Sequence, residues 1–560
     1  MGKAQKEGFL PLDIMVSKAL MHEATRAWAG LLAAWSAAGS AGLMAHPLRR
    51  GIVVLCLLIG TLAGRNFQIP RPKKAIPTLL LTGCVAACLA SPFDYINIIG
   101  CGLALAYLGT ETQSGSPSLL TLCARAVCLF GFYRFALFAV PWFWFPADFV
   151  ARKLSQLASA MTGQPLESGP TFAGLDYMVL GLAVVWNVAS LAGKRRIQVT
   201  IVWLLAMCLV HLLYLSLIAY FPQWSRFLPQ LTVKPSFPGS PPGSKPLGEV
   251  ILWNLPLAAL FFHGMLTLVA LRYITRSSYI TANECEIRKP GERNVSPTSV
   301  KHSRPGLSTS LVQIQGRILR GVVWLLCAAV PLVALLQPTP LSLEGRKIVF
   351  YEKGFLNWLK PRHGEYGRLS VGMYGMLPAF CESYGAKCVV SPDLSESDLS
   401  GADLLVLIFP NRPWEKEQLF RIWKFVRDGG SLLVLGEHTV REKDGGSRFN
   451  EVLEPTAMRV AFDSAMFAVG GWLNSYNAVA HPASLGIRDD RNQFGVVIGA
   501  SVQARWPASP LLFGRYGWAD PGDVSNDESR GGSMMGNQKY DGGERLGDLL
   551  LAAEQRLGRG

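Results

Sequence analysis

Apolar segments fill most of the chain between Ala27 and Leu336, and they constrain the fold more than any other feature. A helix needs about 20 apolar residues to cross a bilayer. The candidate segments are Ala27–Ala45, Gly51–Gly64, Ala75–Pro92, Tyr95–Gly109, Leu119–Trp144, Ala173–Gly193, Ile197–Phe221, Val250–Ile274 and Val322–Leu336. Because the mean hydropathy of +0.26 also favours a membrane protein, we predict a multi-span helical membrane domain over 1–274, with about eight spans, and a final transmembrane helix over 321–337.

The loops of this half carry most of the positive charge. Residues before Pro338 have a net charge of +17 and the remainder −2, which together give the total of +15. Loops rich in Lys and Arg stay in the cytoplasm because their translocation is disfavoured. We therefore predict that Arg65–Lys74, Lys194–Arg196 and the basic linker 275–320 are cytoplasmic. The final helix then places a domain over 338–560 outside the cytoplasm of an inner (plasma) membrane.

Two other segments fall on that outer side in the same topology. Val150–Met161 has apolar residues at three- and four-residue spacing, which predicts an amphipathic helix lying in the membrane surface. Pro222–Pro246 is rich in Pro, Gly and Ser, which is typical of an exposed loop. We assign the positive charge to topology and to lipid headgroups. No nucleic acid is expected as a partner, because nucleic-acid binders carry their cations on a folded face with interleaved aromatic residues.

After Arg346 short apolar runs alternate with helical stretches. The predicted strands are Lys347–Tyr351, Cys388–Ser391, Leu404–Phe409 and Leu432–Gly436, and the predicted helices are Leu369–Tyr384, Trp414–Arg427 and a terminal amphipathic helix, Leu546–Arg556. Strands that alternate with helices of this length indicate βαβ units. The fold class that we predict is therefore a multi-span helical membrane domain followed by an α/β domain with a doubly wound, mostly parallel sheet.

Ligands bind such sheets beyond the carboxyl ends of the strands. This rule, together with the polar residues farther along the chain, selects a candidate ligand-binding set: Asn411, Arg412, Glu437, His438, Trp472 and His481. In one interpretation these residues line a pocket for a polar ligand, with Trp472 stacking on a sugar or peptide. In the other they only cap turns and helices. We predict no metal ion and no cofactor, since neither zinc-type nor EF-hand spacing occurs, although carboxylates in Gly517–Gly547 offer oxygen ligands for Ca²⁺.

The order of parts between Phe135 and Ile274 resembles the exosortase/archaeosortase family of eight-helix membrane enzymes. It comprises a surface helix, a span, a Lys-Arg-Arg turn, a span, an outer loop and a last span. The resemblance implies a cysteine transpeptidase site, with a Cys, an Arg and a His on successive spans. Here Phe172 stands at the Cys position, Leu213–Leu215 at the Arg position and Gly248–Glu249 at the His position. It therefore implies an inactive or repurposed core.

Residues Ala402–Leu407, a helix, and Gly429–Gly436 resemble a class I glutamine-amidotransferase-like domain. They are more similar to the non-amidotransferase branch found in membrane-anchored auxiliary proteins of gliding-type ABC transporters. The amidotransferase branch has a Cys on the turn after the fourth strand, where this chain has Glu437-His438. The resemblance therefore implies binding rather than glutamine hydrolysis.

The function that we predict is the presentation of a ligand- or partner-binding domain at the cell envelope, in exopolysaccharide or protein-sorting processes. The alternative is an exosortase-type membrane cysteine transpeptidase or another membrane hydrolase. Cys208 and His211 share one helix and His263 lies on the last span of the domain; they form either a packed core or a dyad. Cys381 and Cys388 are seven residues apart, and either a disulfide or two free thiols fits that spacing.

Overall fold

The computed structural model describes two compact units. Its described residues are 12–38, 51–56, 83–89, 91, 94–109, 119–189, 196–233, 243–246, 251–252, 262–267, 269–271, 273–274, 342–354, 357–360, 373–437, 440–441, 447–467, 476–479, 481–484, 499–523, 532–533, 536–537 and 539–560. Unit 1 comprises Met1–Ala136, Gly174–Tyr214 and Asn254–Gln337, and unit 2 comprises Leu137–Ala173, Leu215–Trp253 and Pro338–Gly560. The grouping cuts across the predicted boundary at residue 274. The predicted linker 275–320 and final helix 321–337 lie outside the described residues.

Unit 1 is helical. Its helices are α1 (Leu12–Ala37), α2 (Asp94–Gly109), most of α3 (Leu119–Ala139), α5 (Leu175–Val188) and most of α6 (Arg196–Ala219). Leu119–Leu137 and Ile197–Ala219 are, within the described part of the chain, the two helices whose length and apolar composition suit a bilayer crossing. The remaining predicted spans stay a prediction.

A buried cation joins three segments of unit 1. The Arg134 guanidinium lies 3.2 Å from the Asp176 carboxylate and 3.5 Å from that of Asp94, and it donates a hydrogen bond to the carbonyl of Ala38. Arg134 is almost fully buried. A buried charge is tolerated when it is paired and hydrogen-bonded, so these contacts account for an arginine within an apolar helix.

Unit 2 contains the predicted parallel sheet. Its strands are β4 (Lys347–Tyr351), β5 (Lys387–Ser391), β6 (Leu404–Ile408) and β7 (Ser431–Leu435), and its helices are α8 (Met376–Ser383), α9 (Glu396–Leu399) and α10 (Lys416–Arg427). The strand order is β5-β4-β6-β7 and every pairing is parallel. The prediction of a parallel α/β sheet is therefore confirmed. In this order the connections diverge between β4 and β6, which makes that gap the switch point of the sheet.

The apolar runs of β4 and β6 form the core of this sheet. Val349, Leu405, Leu407 and Ile422 are fully buried on the face that α10 covers. Helix α10 begins with a capping box between Glu415 and Gln418. Central strands that are covered on both faces need such continuous apolarity. This pattern allowed β4 and β6 to be predicted from the sequence.

The rest of unit 2 is mostly antiparallel, which the prediction of one doubly wound sheet did not include. Its elements are β8 (Val440–Arg441), α11 (Arg448–Leu453), β9 (Met458–Val460), β10 (Asp463–Phe467), β11 (Tyr476–Ala478), β12 (Val502–Ala504), β13 (Ser509–Gly514), β14 (Gly517–Pro521), β15 (Gly532–Ser533), β16 (Arg545–Leu546) and β17 (Leu549–Glu554). The predicted terminal helix Leu546–Arg556 is wrong. Strand β17 pairs antiparallel with β13 instead and buries Leu549 and Leu550, and this non-local pairing overrides the helical spacing.

Two earlier parts of the chain complete unit 2. They contain α4 (Trp144–Thr162), β1 (Glu167–Ser168), the short helix α7 (Phe221–Trp224), β2 (Gln230–Val233) and β3 (Gly243–Pro246). Strand β1 pairs parallel with β16, and Trp144 packs tilted on Phe513 with ring centroids 5.0 Å apart. Phe172 is fully buried and meets the Tyr516 ring edge-on at 5.9 Å. The predicted surface helix is therefore a packed element of unit 2.

A buried ion network fixes α4 to the terminal strands. The Arg545 guanidinium lies 2.6 Å from the Asp148 carboxylate and 3.5 Å from that of Glu167. Nearby, the Asp548 carboxylate accepts hydrogen bonds from the backbone N–H and the hydroxyl of Thr171. The Arg545 side chain is 13% exposed, so these carboxylates must offset the cost of burying its charge.

We predict that Arg545→Leu lowers the free energy of unfolding of unit 2 by about 3 kcal/mol, because it leaves the buried Asp148 with only the half-exposed Arg152 as a cationic partner. Arg152→Leu is the matched control. Arg152 pairs with the same two carboxylates, at 2.8 and 3.1 Å, but it is 49% exposed, so its loss costs less than about 1 kcal/mol. Denaturant unfolding of the purified chain in detergent measures both effects. Equal losses would contradict the role assigned to Arg545.

Candidate ligand-binding edge of the parallel sheet

The carboxyl ends of β6 and β7 bring three predicted residues to one edge. Phe409 continues the ladder by donating its N–H to Leu435 O at 3.0 Å, and its φ of +42° turns the chain away from the sheet. Asn411 and Arg412 follow directly on this turn, and Glu437 follows the neighbouring strand. Since β6 and β7 are adjacent and parallel, these three residues lie at the same edge. A left-handed Phe is strained, and such strain is frequent at binding sites.

Two aromatic side chains stack on each other near the residues of this edge. The Tyr351 ring, at the end of β4, stacks on Trp414 with centroids 5.2 Å apart. Trp414 donates its indole N–H to Arg448 O, and the Tyr351 hydroxyl is hydrogen-bonded to Gln418. Burial raises the pKa of Tyr351, so its phenol stays neutral and can both donate and accept. Sequence reasoning missed Tyr351 and Trp414, although Tyr351 ends a predicted strand beside the switch point.

Asn411 and Arg412 give the edge its polar chemistry. The Asn411 Oδ1 atom is buried and has no hydrogen-bond partner among the described residues, while the Arg412 side chain is exposed to solvent. A buried acceptor without a partner costs free energy unless a ligand or water supplies a donor. The pair therefore suits a ligand that carries both a hydroxyl or amide donor and a negative charge.

The remaining predicted site residues are His438, Trp472 and His481. His438 and Trp472 lie outside the described residues. His481 belongs to the antiparallel region, where its Nε2 lies 3.5 Å from Glu554 and its Nδ1 accepts the N–H of Ala483. Its contacts are those of a turn cap. The structure thus joins Asn411, Arg412 and Glu437 at one edge and puts His481 on another sheet.

The cysteines offer no activated nucleophile in the described part of unit 2. Cys381 and Cys388 are free thiols that contact each other in an apolar cluster. Burial raises the pKa of Cys388 to about 11 and also raises that of Cys381, so neither is a thiolate at neutral pH.

In unit 1, Cys208 is exposed, whereas His211 is buried with its Nδ1 3.4 Å from Nε2 of His263. The two histidines pair with each other.

An acidic cluster lies in the segment where the sequence offered oxygen ligands. Glu544 accepts the N–H of Asp541 at 2.8 Å, and Asp541 accepts a hydrogen bond from Asn537. Burial, followed by the charges of Asp520 and Asp541, raises the pKa of Glu544 to about 8. Among the described residues there is no group of three or more His, Cys, Asp or Glu side chains arranged to hold a metal ion.

Comparisons with known proteins add little. Neither a protein-family model nor a curated protein matches the chain. Among solved structures, one described as the mmIFT52 N-terminal domain matches at 13% identity, over 38% of this chain and 89% of that one, with a TM-score of 0.22. A likeness of that size supports no inference about fold or function.

The raised pKa of Glu544 predicts a pH-dependent stability. Its carboxyl titrates near its ordinary value of 4.5 when unfolded and near 8 when folded. The folded state therefore binds more protons between these values, and stability falls as pH rises from about 4.5 to about 8. In Glu544→Gln this fall should become shallower, while Glu454→Gln, at an exposed position, controls for the lost charge. Thermal unfolding of the wild type and the two variants across this pH range tests the prediction. The same dependence of stability on pH in all three proteins would refute it.

Proposed function

We propose that this chain is a multi-span inner-membrane protein that holds unit 2 outside the cytoplasm as a non-catalytic binding domain for a cell-envelope ligand or partner. One observation carries the proposal. The loop with the surface helix, the Pro-rich loop and the domain after residue 338 are each predicted to be external from the cation distribution. These same three parts, Leu137–Ala173, Leu215–Trp253 and Pro338–Gly560, fold together as unit 2.

Contacts within unit 2 support this agreement. Phe221 packs on Tyr540 with ring centroids 6.1 Å apart, and the Tyr220 hydroxyl donates to Thr162 O at 3.0 Å. Between two of these parts the chain leaves unit 2 at Ala173 and returns at Leu215. The cations Lys194–Arg196 lie in the middle of that excursion. This is the pattern of a hairpin that crosses to the cytoplasmic side and back.

The chemistry of unit 2 favours binding over catalysis. The edge formed by Asn411, Arg412 and Glu437 offers donors, acceptors and one exposed cation, which suits a polar or acidic envelope polymer. The alternative, a membrane transpeptidase or hydrolase, needs an activated nucleophile. At the position where the exosortase-like pattern has its cysteine, Phe172 is fully buried against Tyr516, and this leaves the enzyme as the weaker candidate.

We expect Arg412→Ala to weaken binding of the detergent-solubilised chain to isolated envelope polysaccharide or peptidoglycan by roughly tenfold, since a hydrogen bond to a charged group contributes about 1.5–3 kcal/mol. Asn411→Leu should act in the same direction. Arg427→Ala removes an equal, exposed charge from the far end of α10 and should have no effect. Sedimentation with each polymer measures the affinity. If Arg412→Ala and Arg427→Ala bind alike, the edge is not the binding site.

A further inference from the structure

Helix α4 presents two contrasting faces. Beyond Trp144, which packs on Phe513 at the start of the helix, the face that packs into unit 2 consists of small or polar residues, namely Ala147, Asp148, Ala151, Ser155 and Ala158. The large apolar residues point the other way: Phe149 is 60% exposed, Met161 59%, Leu157 47% and Val150 44%. A helix on a globular unit normally buries its large apolar residues. In α4 the large apolar residues face outward instead, and this marks the outward face as an interaction surface.

Unit 2 exposes further large apolar residues close in the chain to candidate spans. Trp142 and Phe143, directly before α4, are exposed, and Phe227 is 88% exposed. Helix α4 begins about seven residues after Leu137, and Phe227 follows Ala219 by about eight; both are ends of helices suited to cross a bilayer. Seven residues reach at most about 25 Å. Chain connectivity therefore keeps both parts near the end of a candidate span.

Cations flank the apolar residues of α4. Lys153 Nζ lies 5.6 Å from the centroid of the Phe149 ring, so its stem runs along the apolar face while the ammonium stays outside. Arg226 is exposed beside Phe227, whereas Arg152 is half-exposed but paired with Asp148 and Glu167. Apolar residues bordered by Lys and Arg are typical of helices that lie in the headgroup region of a bilayer containing anionic lipid.

We propose that the outward face of α4, together with Trp142 and Phe227, is a bilayer-binding surface that inserts at the headgroup level and binds anionic phospholipid through Lys153 and Arg226. The inference rests on the proposed membrane function and adds a specific lipid contact to it. Because Arg545 fixes the opposite face of the same helix to β16, this contact would hold unit 2 close to the headgroups.

Photolabelling of the full chain in lipid nanodiscs tests the proposal. The probe is a phosphatidylcholine with a diazirine near the top of its acyl chain, used with and without phosphatidylglycerol, and adducts are located by mass spectrometry. We expect adducts on Phe149, Leu157 and Met161, few on Ala151 or Ser155, and more when phosphatidylglycerol is present. Leu157→Glu should reduce labelling of α4 by about tenfold, because a carboxylate resists insertion. Gln503→Glu, which adds the same charge at an exposed position of β12, should reduce it far less.

The outcomes separate this inference from the function on which it rests. Labelling of Leu119–Leu137 without labelling of α4 would overturn the bilayer-binding surface and leave the membrane function intact. Absence of labelling from both would overturn both. Equal labelling with and without phosphatidylglycerol would refute the headgroup contact of Lys153 and Arg226.

Discussion

The buried ion pair between Arg545 and Asp148 joins residues that are 397 positions apart, and unit 2 depends on it. Burial of a guanidinium is unfavourable unless carboxylates replace its hydration. Asp148 and Glu167 do so here, while Thr171 supplies hydrogen bonds to the neighbouring Asp548. Burial raises the pKa of Asp548, and the bonds from Thr171 oppose that rise. A helix from the apolar half and the last strands of the chain thus stabilise each other.

The buried ion network constrains the membrane topology that is proposed for the chain. Segments that share a buried ion network must lie on one side of a membrane, because strands and ion pairs do not form across lipid. The cation distribution predicts the same side for each of them from an independent principle, the cost of moving Lys and Arg through a bilayer. The proposed arrangement rests on the agreement of the two, and in that proposal the edge of the parallel sheet is external and available to envelope polymers.

Some of this was predictable from sequence, and the reason differs by element. Strands β4 to β7 were predicted to within one residue at each end, because each is a short apolar run, and those of the central strands β4 and β6 are buried. The rule that ligands bind beyond the carboxyl ends of parallel strands then selected Asn411, Arg412 and Glu437. The terminal strand Leu549–Glu554 was mistaken for a helix, since its short leucine run suits either structure and only its pairing with Ser509–Gly514 decides.

Other features depend on tertiary contacts that no local pattern encodes. The amphipathic helix at Val150–Met161 was predicted, but its packing through the small residues opposite could not be. Tyr351 and Trp414 meet only after the sheet and α10 have assembled. Asp463 and Asn450, two polar residues that follow the parallel sheet in the chain, bond to Ser501 and Val460 respectively. A polar residue in a loop therefore predicts a site poorly unless topology also brings it to an edge.

The most direct test of the account is protease accessibility in intact cells. Protease added to spheroplasts that express the full chain should digest residues 338–560 while a cytoplasmic marker protein stays whole. Protection of this region until the membrane is lysed would place unit 2 inside the cell and contradict the central claim.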